Sequence, residues 1–147
     1  MKTKILFLAI AIMLLSSAVI HAGYDKPIRF EQLPSKAQQF IKTHFPNSKI
    51  AIAKKEIEFI GCSYDVIFTN GDKLEFGKNG NWTEISCKYT KVPIEIIPPE
   101  ILKYVKNNYP DEYVIEIDRK NNYYEINLSN RVEVEFSKRF EIIDIDF

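Results

Sequence analysis

Glycine, histidine and cysteine are all scarce in this chain: its 147 residues include 5 Gly, 2 His and 2 Cys. So little glycine, beside 46% hydrophobic and 13% aromatic residues, excludes a collagen-like, low-complexity or disordered chain. A basic excess is also missing, since Lys plus Arg and Asp plus Glu number 20 each, and nothing points to a nucleic-acid partner. No glycine-rich phosphate loop and no nucleophile motif is present. One histidine, His21, falls in the N-terminal leader, so a Ser–His–acid triad would have to use His44, at the end of an expected helix. One remaining histidine and two distant cysteines fall short of the four N/S ligands usual for zinc. No cofactor, no metal and no enzymatic activity is expected.

The leader is the one long apolar run. Lys2 and Lys4 precede Ile5 to Ile20, which is apolar apart from Ser16 and Ser17. The run is short for a permanent span of about 20 residues. Ala18 and Ala22 offer small-residue cleavage sites, with Ala22 preferred, so 1–22 reads as a signal peptide. No cysteine lies nearby to carry a lipid. Cleavage after Ala22 leaves 125 residues with 18 basic and 20 acidic groups, a formal charge of −2. The mature protein is expected in the periplasm or the medium, with no membrane span.

The mature chain repeats itself. Leu33-Pro34-Ser35 through Phe45-Pro46 recurs as Ile97-Pro98-Pro99 through Tyr109-Pro110, 64 positions later. Beyond this the offset is 60: Tyr64-Asp65-Val66 matches Tyr124-Glu125-Ile126, and Leu74-Glu75-Phe76 matches Val134-Glu135-Phe136. Each copy opens with apolar residues at helical spacing (Ala37, Phe40, Ile41; Ile101, Leu102, Val105) between two prolines, which suit a helix start and a helix end. Period-two alternation follows, as in Tyr64, Val66 and Phe68 against Asp65, Ile67 and Thr69, with Asn70-Gly71-Asp72 as a tight turn. This predicts an α+β fold of two tandem helix-plus-four-stranded antiparallel sheet units, helices on one face. The expected domains are the leader 1–22, a first unit over 23–90 and a second over 91–147. In the second copy Arg131 stands at the position of Gly71, and Arg139-Phe140-Glu141-Ile142 replaces Asn79-Gly80-Asn81-Trp82, so its turns are expected to differ.

The pattern resembles the PepSY-like domain of exported bacterial proteins, also called β-lactamase-inhibitor-like. The resemblance rests on Leu33-Pro34, Phe45-Pro46, Tyr64-Asp65-Val66, Asn70-Gly71-Asp72, Leu74-Glu75-Phe76 and Gly80-Asn81-Trp82, and on their counterparts in the second copy. It covers about 33–87 and 97–146, and implies a small exported domain that binds or inhibits another protein.

Two cysteines in an exported chain invite a disulfide. Against it, Cys62 and Cys87 fall at opposite ends of strands running in the same direction, about 20 Å apart, unless the strand order differs. The carboxylates Glu133, Glu135, Glu141, Asp144 and Asp146 read as a solvated sheet face, since no calcium-loop motif accompanies them. The open sheet face is the expected partner surface. Alternation from inward Ile85 points Trp82 and Glu84 outward, while Ile67 and Tyr123 have outward parity in their own strands. For Trp82 the competing expectation is packing between the units or under a loop. Two functions compete: a non-catalytic binding or inhibitory module for an unknown protein partner, and a structural or envelope-assembly domain with no ligand site.

Overall fold

Alternating residues sort the strands into two faces, and in the computed structural model this sorting runs unbroken across one sheet. The structure describes residues 23–147, so the expected signal peptide over 1–22 lies outside the described residues. The strands are β1 (Tyr24–Pro27), β2 (Ile50–Glu58), β3 (Gly61–Phe68), β4 (Lys73–Gly77), β5 (Trp82–Ser86), β6 (Val114–Arg119), β7 (Tyr123–Leu128), β8 (Glu133–Ser137) and β9 (Ile142–Asp146). They lie side by side in sequence order as a single nine-stranded sheet, and every neighbouring pair is antiparallel. Two short helices, α1 (Ser35–His44) and α2 (Pro99–Asn108), complete it with a 3-10 turn at Phe30–Gln32.

The expectation of two helix-plus-four-strand α+β units is therefore overturned: the fold is mostly β, and its sheet is continuous. The reason is at the seam, where β5 pairs with β6 through Glu84–Asp118, Ile85–Ile117 and Ser86–Glu116. Some 55 residues alone bury too little apolar surface. Joining the strands satisfies two edges and merges both cores. β1, which the sequence pattern did not reveal, adds a further strand against β2.

One row of side chains crosses the whole core face: Ala53, Val66, Leu74, Ile85, Ile117, Ile126, Val134 and Ile145, each directly opposite the next. Ala37 and Ile41 of α1 and Ile101 and Val105 of α2 are buried in the same cluster. Phe40 meets Phe76 edge-on at 5.8 Å, and Tyr104 meets Phe136 the same way at 5.3 Å. The turns of the two halves do not differ in backbone, contrary to expectation. Arg131 takes φ 73° where Gly71 takes 91°, and Phe140 takes φ 63° where Gly80 takes 78°. Cys62 and Cys87 are free thiols, and burial with a smaller effect of Asp72 pushes Cys87 up to about 12.

Candidate functional site

The face opposite the helices is built by the other half of each alternation. Directly across the strands run Lys54, Asp65, Glu75, Glu84, Asp118, Glu125, Glu135 and Asp144, one residue from each of β2 to β9. Seven carboxylates thus stand in consecutive register over about 29 Å, at about 4.8 Å per strand. Like charges directly opposite one another destabilise a sheet. The next row holds Ile52, Ile67, Lys73, Ser86, Glu116, Asn127, Glu133 and Asp146.

Cations answer this charge unevenly. Lys54 Nζ donates to Asp25 at 2.8 Å and Glu56 at 2.6 Å and lies 3.4 Å from Asp65; the Asp25 and Glu56 bonds, against a smaller opposing effect of burial, raise its pKa. Lys73 Nζ stands 3.6 Å from Asp65, 3.7 Å from Glu75 and 3.8 Å from Glu84. Burial works to lower the Lys73 pKa, yet these carboxylates together raise it. Lys120 donates to Asp118 at 3.1 Å, and Lys88 lies 3.3 Å from Glu116. Asp65 and Asp118 are each only 4% exposed, and burial holds both above the ordinary carboxylate range despite their lysines. Glu84 and Glu125 are raised as well, burial first; neighbouring carboxylates add to both shifts, while Lys73 and Lys120 respectively oppose them. Among the described residues no ion pair reaches Glu125, Glu133, Glu135 or Asp144. Carboxylate oxygens of Glu125, Glu133 and Glu135 lie within 4.8 Å of one another.

Of the residues singled out from sequence, Ile67, Glu84 and Tyr123 lie on this face. Ile67 sits across from Lys73, Glu84 is in the middle of the carboxylate row, and Tyr123 is opposite Ser137. They occupy β3, β5 and β7, so each is two strands from the next. Trp82 is on the other face, and its expected outward orientation is corrected. A bulge fits Trp82, Thr83 and Glu84 against Phe76 and Glu75, so Trp82 is opposite buried Phe76 and packs on the core. It lies at the seam between the halves, as the competing expectation had it. The Arg119 guanidinium stacks 4.3 Å from its ring centre and donates to the Trp82 carbonyl at 2.7 and 3.1 Å. Thr83 takes the open face instead and donates to Glu75 at 3.1 Å.

Sequence reading missed the row itself. Glu133 with Glu135, and Asp144 with Asp146, were visible as pairs sharing a strand face, but their register was not: Glu133 faces Asp146 and Glu135 faces Asp144. A shallow polar cleft of about 330 Å³ opens at the seam between Glu75, Thr83, Glu84, Asp118 and Lys120. His44 is remote from this face, at the end of α1, with Nδ1 3.6 Å from Glu95 and its ring 4.6 Å from that of Phe40.

A mostly β sheet with one helix-covered face and one charged open face defines the class. The chain belongs to the family described as "Putative beta-lactamase-inhibitor-like, PepSY-like", which matches residues 62–144. That single match runs across the β5–β6 seam rather than beginning anew in each half. A solved "putative periplasmic protein" of the DUF2874 family from Bacteroides vulgatus ATCC 8482 is 55% identical, over 84% of this chain and 97% of that one, with a TM-score of 0.82. A "putative calcium-regulated periplasmic protein" from Bacteroides thetaiotaomicron is 56% identical over the same shares, with a TM-score of 0.83. A third, from Bacteroides vulgatus and of unknown function, is 36% identical over 84% of this chain and all of that one, at a TM-score of 0.80. The curated proteins gave no match. The chain is a periplasmic protein, and no helix among the described residues is long and apolar enough to cross a membrane.

Proposed function

We propose that this chain is a non-catalytic periplasmic binding module that offers the open face of its sheet to another protein. The observation that carries this reading is the carboxylate row. Seven acids in adjacent register oppose folding by mutual repulsion, and burial of Asp65 and Asp118 adds a desolvation cost. A surface that works against stability in this way has its reason in recognition. The inhibitor-like description of the family supports the same direction, with an enzyme as the partner class. The halves 23–90 and 91–147 are read as tandem PepSY-like copies fused into one sheet, exported by a signal peptide over 1–22.

A calcium-binding function is the second reading, favoured by the proximity of the Glu125, Glu133 and Glu135 oxygens and by the relative described as calcium-regulated. It ranks second because three side-chain carboxylates fall short of the six to eight oxygens that calcium takes.

Capture from native periplasm, with the mature chain as bait, tests the first reading. Combining Ile67→Ala, Glu84→Gln and Tyr123→Ala should abolish capture of a reproducible partner and leave the melting temperature within about 3 °C of the parent. Equal capture by parent and triple variant would sink the open face as the binding surface.

A further inference from the structure

In the N-terminal half of the open face, Asp65, Glu75 and Glu84 stand on three adjacent strands, and the Lys73 ammonium sits between them at 3.6–3.8 Å. Sixty positions on, Glu125, Glu135 and Asp144 stand in the same relation on β7, β8 and β9. The position that corresponds to Lys73 is Glu133, which lies between Asn127 and Asp146 as Lys73 lies between Ile67 and Ser86. The built-in ammonium of one half is thus exchanged for a fourth carboxylate in the other. No lysine or arginine among the described residues forms an ion pair with these four carboxylates; the neighbouring Lys120 donates to Asp118 and offsets the charge at Glu125 only from a distance.

From this geometry we infer that the C-terminal half of the open face docks a lysine-bearing surface of the protein partner, with one partner ammonium seated among Glu125, Glu133, Glu135 and Asp144. The inference rests on the protein-binding reading and names the partner's chemistry. Charge complementarity selects a cation, and Lys73 shows that an ammonium fits: carboxylates from three strands surround its point charge at 3.6–3.8 Å. The aliphatic stem of an incoming lysine needs an apolar neighbour. Ile143, the bulge residue that corresponds to Thr83, is 54% exposed beside this seat.

The test titrates a ten-lysine peptide into the isotope-labelled mature chain at low salt and follows the Glu and Asp side-chain carboxyl resonances. Saturable shifts centred on Glu125, Glu133, Glu135 and Asp144 are expected. Glu133→Lys, which copies the N-terminal arrangement, should weaken binding about tenfold without lowering the melting temperature. Glu75→Gln should alter affinity by less than about twofold. If Glu133→Lys does not fold, Glu133→Gln serves, with about a threefold loss expected. Equal affinity of parent and Glu133 variant, or shifts centred on Asp65, Glu75 and Glu84, would overturn the seat. So would calcium chloride saturating the same four carboxylates in a chain that ignores the peptide. Should those results coincide with loss of native capture in the Ile67/Glu84/Tyr123 variant, the seat falls while the binding module stands.

Discussion

The half of the sheet from β2 to β5 and the half from β6 to β9 share a backbone and differ in what they hang on it. Phe68 N–H donates to the Asp72 carbonyl at 2.9 Å, as Leu128 donates to Val132. Gly77 donates to Asn81 at 2.8 Å, as Ser137 donates to Glu141. Both halves contribute to the same row of buried aliphatic residues, and each sets an aromatic residue of its helix edge-on against a strand phenylalanine. Away from that core they part: Gly80 becomes Phe140, Lys73 becomes Glu133 and Gly71 becomes Arg131. Core burial and the strand ladder hold the backbone in place, while turns and the open face are free to diverge.

Exchanging the residues that differ is the way to break this comparison, and the largest effect is expected at Gly80. A Cβ there would stand 2.9 Å from the Pro34 Cβ and 3.1 Å from the Ala37 nitrogen, so the first turn of α1 rests directly on this glycine. Gly80→Phe should cost about 3 kcal/mol or more in urea unfolding, from overpacking plus a positive φ. The reverse change, Phe140→Gly, relieves a φ of 63° but loses a ring stacked 5.6 Å from Tyr124. It should shift stability by less than about 1 kcal/mol. Tolerance of Gly80→Phe would mean that α1 is not fixed by this contact.

Next comes the charge exchange. Lys73→Glu removes an ammonium from beside Asp65, which is 4% exposed, and adds a fourth acid to Asp65, Glu75 and Glu84. A loss of about 2 kcal/mol is expected. Glu133→Lys should instead gain about 0.5 kcal/mol, because its setting is partly solvated and the new pairs are screened. A destabilised Glu133→Lys would show that the C-terminal carboxylates are already compensated.

Arg131→Gly probes the turn and should stabilise by about 0.5–1 kcal/mol, since glycine reaches positive φ without the steric penalty of a side chain. The matching exchange, Gly71→Arg, meets the Tyr89 ring at 2.9 Å and should be the more harmful of the two. Equal effects would place the cost in the backbone alone.

Much of this was legible along the chain and little of it across. Alternation in Tyr64 to Phe68, prolines flanking both helices and the Asn70-Gly71-Asp72 turn are local signals, and each marks an element that the fold contains. Strand pairing is decided by side chains far apart in sequence. The β5–β6 seam, which turned two expected units into one sheet, depends on Ile85 meeting Ile117 and leaves no local trace. Trp82 shows how a small irregularity misleads: one bulge residue, Thr83, breaks the period-two rule and moves the tryptophan to the core face. The carboxylate row was hidden for the same reason, since the parity of each acid could be read within its strand but their register could not.

The smallest expected effect concerns pH, and it reports on both halves at once. Asp65 and Glu84 in one half and Asp118 and Glu125 in the other all have raised pKa values, with burial as the main cause. A carboxyl whose folded pKa exceeds its unfolded value binds its proton more tightly when folded. Stability therefore falls as pH rises from the unfolded values of 3.8 and 4.5 through the raised folded ones. The raised lysines Lys54 and Lys73 act in the same direction but only above their unfolded value of 10.5, so their contribution is constant across this window. The protein should melt about 2 °C higher near pH 4.5 than near pH 8. Adding an acid to the first half by Lys73→Glu should widen that gap, and replacing one in the second half by Glu133→Lys should narrow it. If scanning calorimetry across this range gave the parent and both variants the same pH slope, these four carboxylates would not be sharing one electrostatic field across the seam.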